Sequence, residues 1–202
     1  MTFHYGDGSS TTSQPLEIPP LKSDLQWLHM KPWFDRHTII NKPWAMALTA
    51  DMPVVPEVTC AEFEMWSQVC PGAMSAVNFH PGPLTDERTW WLGIGHAGGA
   101  DDINTEWSQT YHLFNPGHET AHITLSFPGT GSELTRAVDV APRSVFRVDS
   151  SEIEGLPLDR PFAVRADGDV PFCAQVFART FTRGLSYTRA MYSFMGVPMI
   201  NL

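Results

Sequence analysis

Positive charge is scarce in this 202-residue sequence, where 13 Lys and Arg stand against 22 Asp and Glu for a formal net charge of −9. Nucleic-acid phosphates and anionic lipids are held by basic surfaces that displace counterions, so both are disfavoured as partners, and no Lys/Arg cluster reverses this. Long apolar runs are missing as well. Nothing approaches the roughly 20 residues that span a bilayer, and the N-terminus lacks a basic start followed by an apolar stretch. No membrane association is expected, and the cytoplasm is the expected compartment. Cysteine is sparse: Cys60, Cys70 and Cys173 are odd in number and have no Cys-x-x-Cys spacing. That disfavours a disulfide framework or a zinc knuckle and leaves buried free thiols as the reading. Gly-x-Ser-x-Gly is absent, so no nucleophile elbow is present. Gly93-Ile94-Gly95 with Gly98 lacks the helix and the βαβ setting of a dinucleotide fingerprint.

What is present is alternation. Hydrophobic residues make up 43% of the chain and charged ones 17%, which is the composition of a globular protein with a lightly charged surface. Seventeen prolines and 15 glycines are scattered along it, and almost no stretch keeps the 3.6-residue apolar period of a long helix. In His122-Ile123-Thr124-Leu125-Ser126-Phe127 the apolar set takes one face and the polar set the other. Turn residues bracket it at Asn115-Pro116-Gly117 and Pro128-Gly129. Further strands read at 111–114, 137–140, 144–148, 162–165, 172–177 and 190–194. Short strands at this spacing predict an all-β fold, an antiparallel β-sandwich.

An internal repeat refines the prediction. Asn41-Lys42-Pro43-Trp44-Ala45, Asp51-Met52-Pro53, Val58 and Phe63 align without a gap on Asp159-Arg160-Pro161-Phe162-Ala163, Asp169-Val170-Pro171, Val176 and Phe181, so that Pro43 meets Pro161 at an offset of 118. After one small shift Ala73, Met74 and Pro81 meet Ala190, Met191 and Pro198 at an offset of 117. Repeats at fixed spacing imply repeated supersecondary units. The chain is too short for two full copies, so the first is expected to be partial, without its opening strands, and to dock on the second. The expected organisation is a disordered tail over 1–15, where Gly6 to Ser13 lacks apolar periodicity, a partial β repeat over 16–87, and a full sandwich over 88–202.

From about residue 90 to 198 the pattern resembles the sensory rhodopsin transducer family of small soluble proteins. The carrying residues are Trp90 and Trp91 with Gly93, Gly95, Gly98 and Gly99, then Leu113-Phe114-Asn115, Glu119-Thr120-Ala121-His122-Ile123, Val140-Ala141-Pro142-Arg143, Leu158-Asp159 before Pro161-Phe162, Asp169-Val170-Pro171 with Gln175, and the closing Ser193 to Pro198. The resemblance implies an antiparallel sandwich, self-assembly into a homo-oligomer and binding of sugar-like ligands.

A sugar site needs flat aromatic rings for the apolar faces of a pyranose and polar groups for its hydroxyls. Trp91 or Trp107 would stack, with His96, Glu106, Gln175 and Arg179 as hydrogen-bonding partners, in a protein that binds a small polar, sugar-like molecule and needs no cofactor. Gln175 and Arg179 are four apart on one strand and share a face. A second reading is a metal-dependent enzyme, or an accessory subunit of one, acting on a sugar derivative, with His96, Glu106 and His112 holding a divalent metal. His118, His122, Asp101 and Asp102 complete the local pool, and His80 has no counterpart in the second copy. A third reading is a structural module whose aromatics meet a protein partner.

Overall fold

Ile123, Leu125 and Phe127, the clearest alternating run in the sequence, are 1%, 0% and 1% exposed, while His122 and Thr124 between them face solvent. The computed structural model describes residues 1–26, 31, 43–62, 73–78, 86–99, 105–130, 133–157, 160–182 and 188–199. Its strands are β1 Thr2–Tyr5, β2 Ser10–Thr12, β3 Trp44–Ala47, β4 Glu57–Glu62, β5 Ala73–Asn78, β6 Thr89–Gly95, β7 Gly98–Gly99, β8 Thr105–Phe114, β9 Ala121–Ser126, β10 Thr135–Val140, β11 Val145–Asp149, β12 Phe162–Gly168, β13 Cys173–Thr182, β14 Thr188–Met195 and β15 Val197–Pro198. Among the described residues there is no α-helix, and none is therefore long and apolar enough to cross a membrane.

Two antiparallel sheets, ordered β10-β9-β12-β6-β15 and β11-β8-β13-β14, form the C-terminal sandwich. The predicted strands all lie within these elements or overlap them to within a residue or two at their ends. Trp90, Leu92, Tyr111, Leu113, Phe127, Phe162, Val164, Phe172 and Val176 meet between the sheets. Phe127 is central, edge-on to Tyr111 at 6.1 Å and to Phe162 at 5.9 Å. Trp90 and Trp91 take opposite faces, as consecutive strand residues must. Trp90 is buried and its indole N–H donates to the Phe172 carbonyl at 2.7 Å. Trp91 points outward.

The N-terminal half has a three-stranded sheet, β2-β1-β3, and a β4–β5 hairpin. The expected disordered tail is overturned. Thr2–Tyr5 and Ser10–Thr12 form a hairpin, closed by a turn in which Gly8 takes φ +80° and Asp7 Oδ1 accepts from the Ser9 amide at 3.1 Å and the Ser9 hydroxyl at 2.6 Å. Phe3 and Tyr5 bury themselves against Met1, Trp44 and Met46. Two apolar residues were too short a run to register as alternation, and the polar residues that follow are turn and edge.

The partial copy also differs from expectation. β1 lies between β2 and β3 as β6 lies between β15 and β12, so an opening strand is present. No strand among the described residues stands in the first copy for β8, β9, β10 or β11. The small sheet meets the sandwich at the outer face of β8 and β11. His4 packs its ring on Phe114 at 5.2 Å, and Gly6 sits so close to Pro43 and the Val145 carbonyl that a Cβ there would come within 2.7 Å and 3.0 Å of them.

Candidate functional site

Alternation along β8 sends Gln109, Tyr111 and Leu113 into the core and leaves Glu106, Ser108, Thr110, His112 and Phe114 on the outer face of the sheet. Cross-strand register completes that face. Arg147, His112 and Gln175 form one row across β11, β8 and β13, Asp149, Thr110 and Phe177 the next, and Ser108 with Arg179 a third. Directly opposed side chains on one face stand roughly 4.5–5.5 Å apart at Cβ, close enough to act on one ligand. Beside them a shallow groove of about 390 Å³ is lined by Gly6, Pro43, Val145, Phe146, Arg147, Asp149 and Glu152. The polar face therefore opens where the small sheet and the sandwich meet.

Its electrostatics are fixed by a few contacts. The Thr110 hydroxyl donates to Asp149 Oδ1 at 2.6 Å, and Arg147 Nε donates to Asp149 Oδ2 at 3.0 Å. Burial works to raise the Asp149 carboxyl, but those hydrogen bonds and the charges of Arg147 and Arg179 outweigh it and hold the group below its ordinary value. Arg147 is 48% exposed and Asp149 only 16%, so the carboxylate is the rigid member and the guanidinium the accessible one. His112 is pushed down to about 4, first by burial and then by Arg147, against the pull of Asp149. It is neutral at physiological pH and a weak base. Cys173 is pushed up to about 12, chiefly by burial, so its thiol is no nucleophile. The face offers guanidinium and amide donors, carboxylate and amide acceptors, hydroxyls and a phenyl ring.

The sequence-predicted residues divide among three places. Glu106, His112, Gln175 and Arg179 share the face just described, with Glu106 at its far end opposite Phe181. Trp107 is on the other side of the same sheet, its ring 5.2 Å from that of His96. Trp91 is on the outer face of the other sheet, under the Arg165 guanidinium at 5.8 Å, with its indole N–H donating to Met199 Sδ at 3.2 Å. A single site holding all seven is not assembled.

The metal set His96, Glu106 and His112 is corrected by the same geometry. Glu106 and His112 are six residues apart on β8, about 20 Å at the strand rise, whereas one metal would hold both at about 2 Å. His118 contacts Arg143 at 3.3 Å and His122 pairs with Asp139 at 2.7 Å, away from His112. Asp101, Asp102 and His80 lie outside the described residues. Sequence reasoning missed Arg147, Asp149 and Thr110. A local signal existed for two of them, since Arg147 and Asp149 are two apart on a strand and so share a face.

No family model matches the chain, and no curated protein matches it. Among solved structures, Thermotoga maritima 1070 is similar with a TM-score of 0.46 and 19% identity, over 55% of this chain and 94% of that one. The Anabaena sensory rhodopsin transducer is similar with a TM-score of 0.38 and 19% identity, over 47% of this chain and 91% of the transducer. These are similarities of fold.

Proposed function

We propose that this protein binds a small, hydroxyl-rich, carbohydrate-like ligand on the outer face of β11, β8 and β13, and that its sandwich is a diverged relative of the transducer family. The observation that carries the reading is the half-buried row Arg147, His112 and Gln175, flanked by Asp149 and Arg179, beside an open groove. Burial strengthens each polar contact, and a clustered set of donors and acceptors matches vicinal hydroxyls better than an apolar guest. A neutral His112 and an inert Cys173 favour binding over turnover. Self-association and a cytoplasmic setting belong to the same proposal, and a free, protonated Cys173 suits a reducing compartment.

The test is a thermal-shift screen against neutral sugars and sugar acids, run on the wild type, Gln175→Ala and Arg179→Met. One sugar class should raise the melting temperature with concentration, by an amount equivalent to about 2.7 kcal/mol at a hundredfold excess over Kd. Both variants should lose most of that rise. A flat response to every sugar, or an undiminished rise in both variants, removes the proposal.

A further inference from the structure

The β4–β5 ladder repeats the β13–β14 ladder residue for residue. Glu57 opposes Asn78 and Ala61 opposes Met74. Carried forward by the offsets of the sequence repeat, 118 and 117, these become Gln175 opposing Met195 and Arg179 opposing Met191, which are the pairs found in β13–β14. A slip of one residue would turn every side chain to the wrong face, so shared register marks the hairpins as copies of one unit. The other sheet agrees, with Tyr5 opposing Trp44 as Gly95 opposes Phe162.

The two copies also meet. β14 ends the β11-β8-β13-β14 sheet, and β5 runs with its Cα atoms within 8 Å of those of β14. Stacked sheets stand about 10 Å apart and neighbouring strands about 4.8 Å, so β5 runs beside β14 nearer to strand than to sheet spacing, with no ladder joining them among the described residues. β5 and β14 are the equivalent strands of the repeat. A contact between the same element of two copies is the kind that closes a symmetric pair, and an uncovered edge strand is a template for such pairing.

We infer that the β14 edge is a docking edge for a copy of its own hairpin, and that the N-terminal half fills in cis the seat a second chain would otherwise take. The stand-in keeps the strand register and lacks the guanidinium of the proposed ligand face. Val58 and Met74 match Val176 and Met191, whereas Ala61 stands where the second copy has Arg179.

Two full-length proline variants, Ser75→Pro and Ala76→Pro, read the edge. Successive strand residues direct their N–H groups to opposite sides, so one variant disturbs the side towards β14 and the other the side towards β4, each controlling for general damage. Native mass spectrometry and hydrogen exchange over residues 188–195 follow both across protein concentration. One variant is expected to reach twice the wild-type subunit number when concentrated, its 188–195 amides exchanging when dilute and protected when concentrated. Unchanged subunit number in both variants overturns the inference. A second measurement carries little risk to folding: in a Cys60→Ser background, since Cys60 is the cross-strand partner of Ser75, Ser75→Cys is combined in turn with Met191→Cys, Tyr192→Cys or Ser193→Cys, and disulfides are located by peptide mass spectrometry. A bond joining position 75 to the introduced β14 cysteine within one chain is the expected result; that bond only between chains, or absent in every pair, overturns the cis arrangement.

Discussion

The ring of Phe162 covers the Cα of its cross-strand partner Gly95 so closely that a Cβ on Gly95 would come within 2.1 Å of it. Phe162 is buried, edge-on to Phe127, and has no room to withdraw. In the first copy the same ladder position holds Tyr5 opposite Trp44.

Gly95→Ala is therefore expected to destabilise the sandwich by about 1–3 kcal/mol through overpacking, and Phe162→Ala by about 3–5 kcal/mol through lost burial. The double variant should cost less than the sum, because the alanine then occupies space the ring has left. Urea unfolding of the four proteins measures this. Additive costs would mean that the two residues are not in contact.

His112 supplies a pH dependence. Its folded value is about 4 against an ordinary 6.5, so between those values the unfolded chain binds more protons. Stability should be fully present above about pH 6.5, fall as acid is added, and stop responding through this group below about 4, a span on the order of 3 kcal/mol. His4 is lowered too, first by burial and then by Arg143, and adds a slope of the same sign. Denaturant titrations from pH 7.5 to 4 should show a shallower decline in His112→Gln than in the wild type. Asp149 acts lower down: its contribution is present above the ordinary carboxylate value and disappears as pH falls through its depressed one.

Trp107 separates fold from site. Packed on His96 and facing away from Gln175 and Arg179, it should matter to stability and not to ligand. Trp107→Ala is expected to cost about 2–3 kcal/mol while keeping the full sugar-induced shift. Loss of that shift without loss of stability would return Trp107 to the binding surface.

Much of the fold was legible in the sequence because alternation and burial are local. Ile123, Leu125 and Phe127 fall inward as their spacing requires, and the 118-residue offset of Pro43 from Pro161 foretold that β3, β4 and β5 would echo β12, β13 and β14. Strand parity was readable as well. Glu106 and Trp107 are consecutive on one strand and cannot serve one face, so their joint assignment to a site failed on a rule already available. Lateral order was not readable. Nothing near Thr110 in sequence announces Asp149 or Phe177, because those neighbours are chosen by long-range pairing of β8 with β11 and β13. The β1–β2 hairpin stayed hidden because its stability comes from Trp44 and Met46, some forty residues away.

The two halves keep separate cores, a small one around Phe3 and Tyr5 and a large one around Trp90, Tyr111 and Phe127. The smaller core removes less apolar surface from water and gives way first on heating. Its loss uncovers Phe114, on which His4 packs, while the sandwich is still intact. A warmed solution would then scatter light before the main calorimetric transition, with an onset that moves to lower temperature as protein concentration rises, because the first thing heat releases is apolar surface that had been covered.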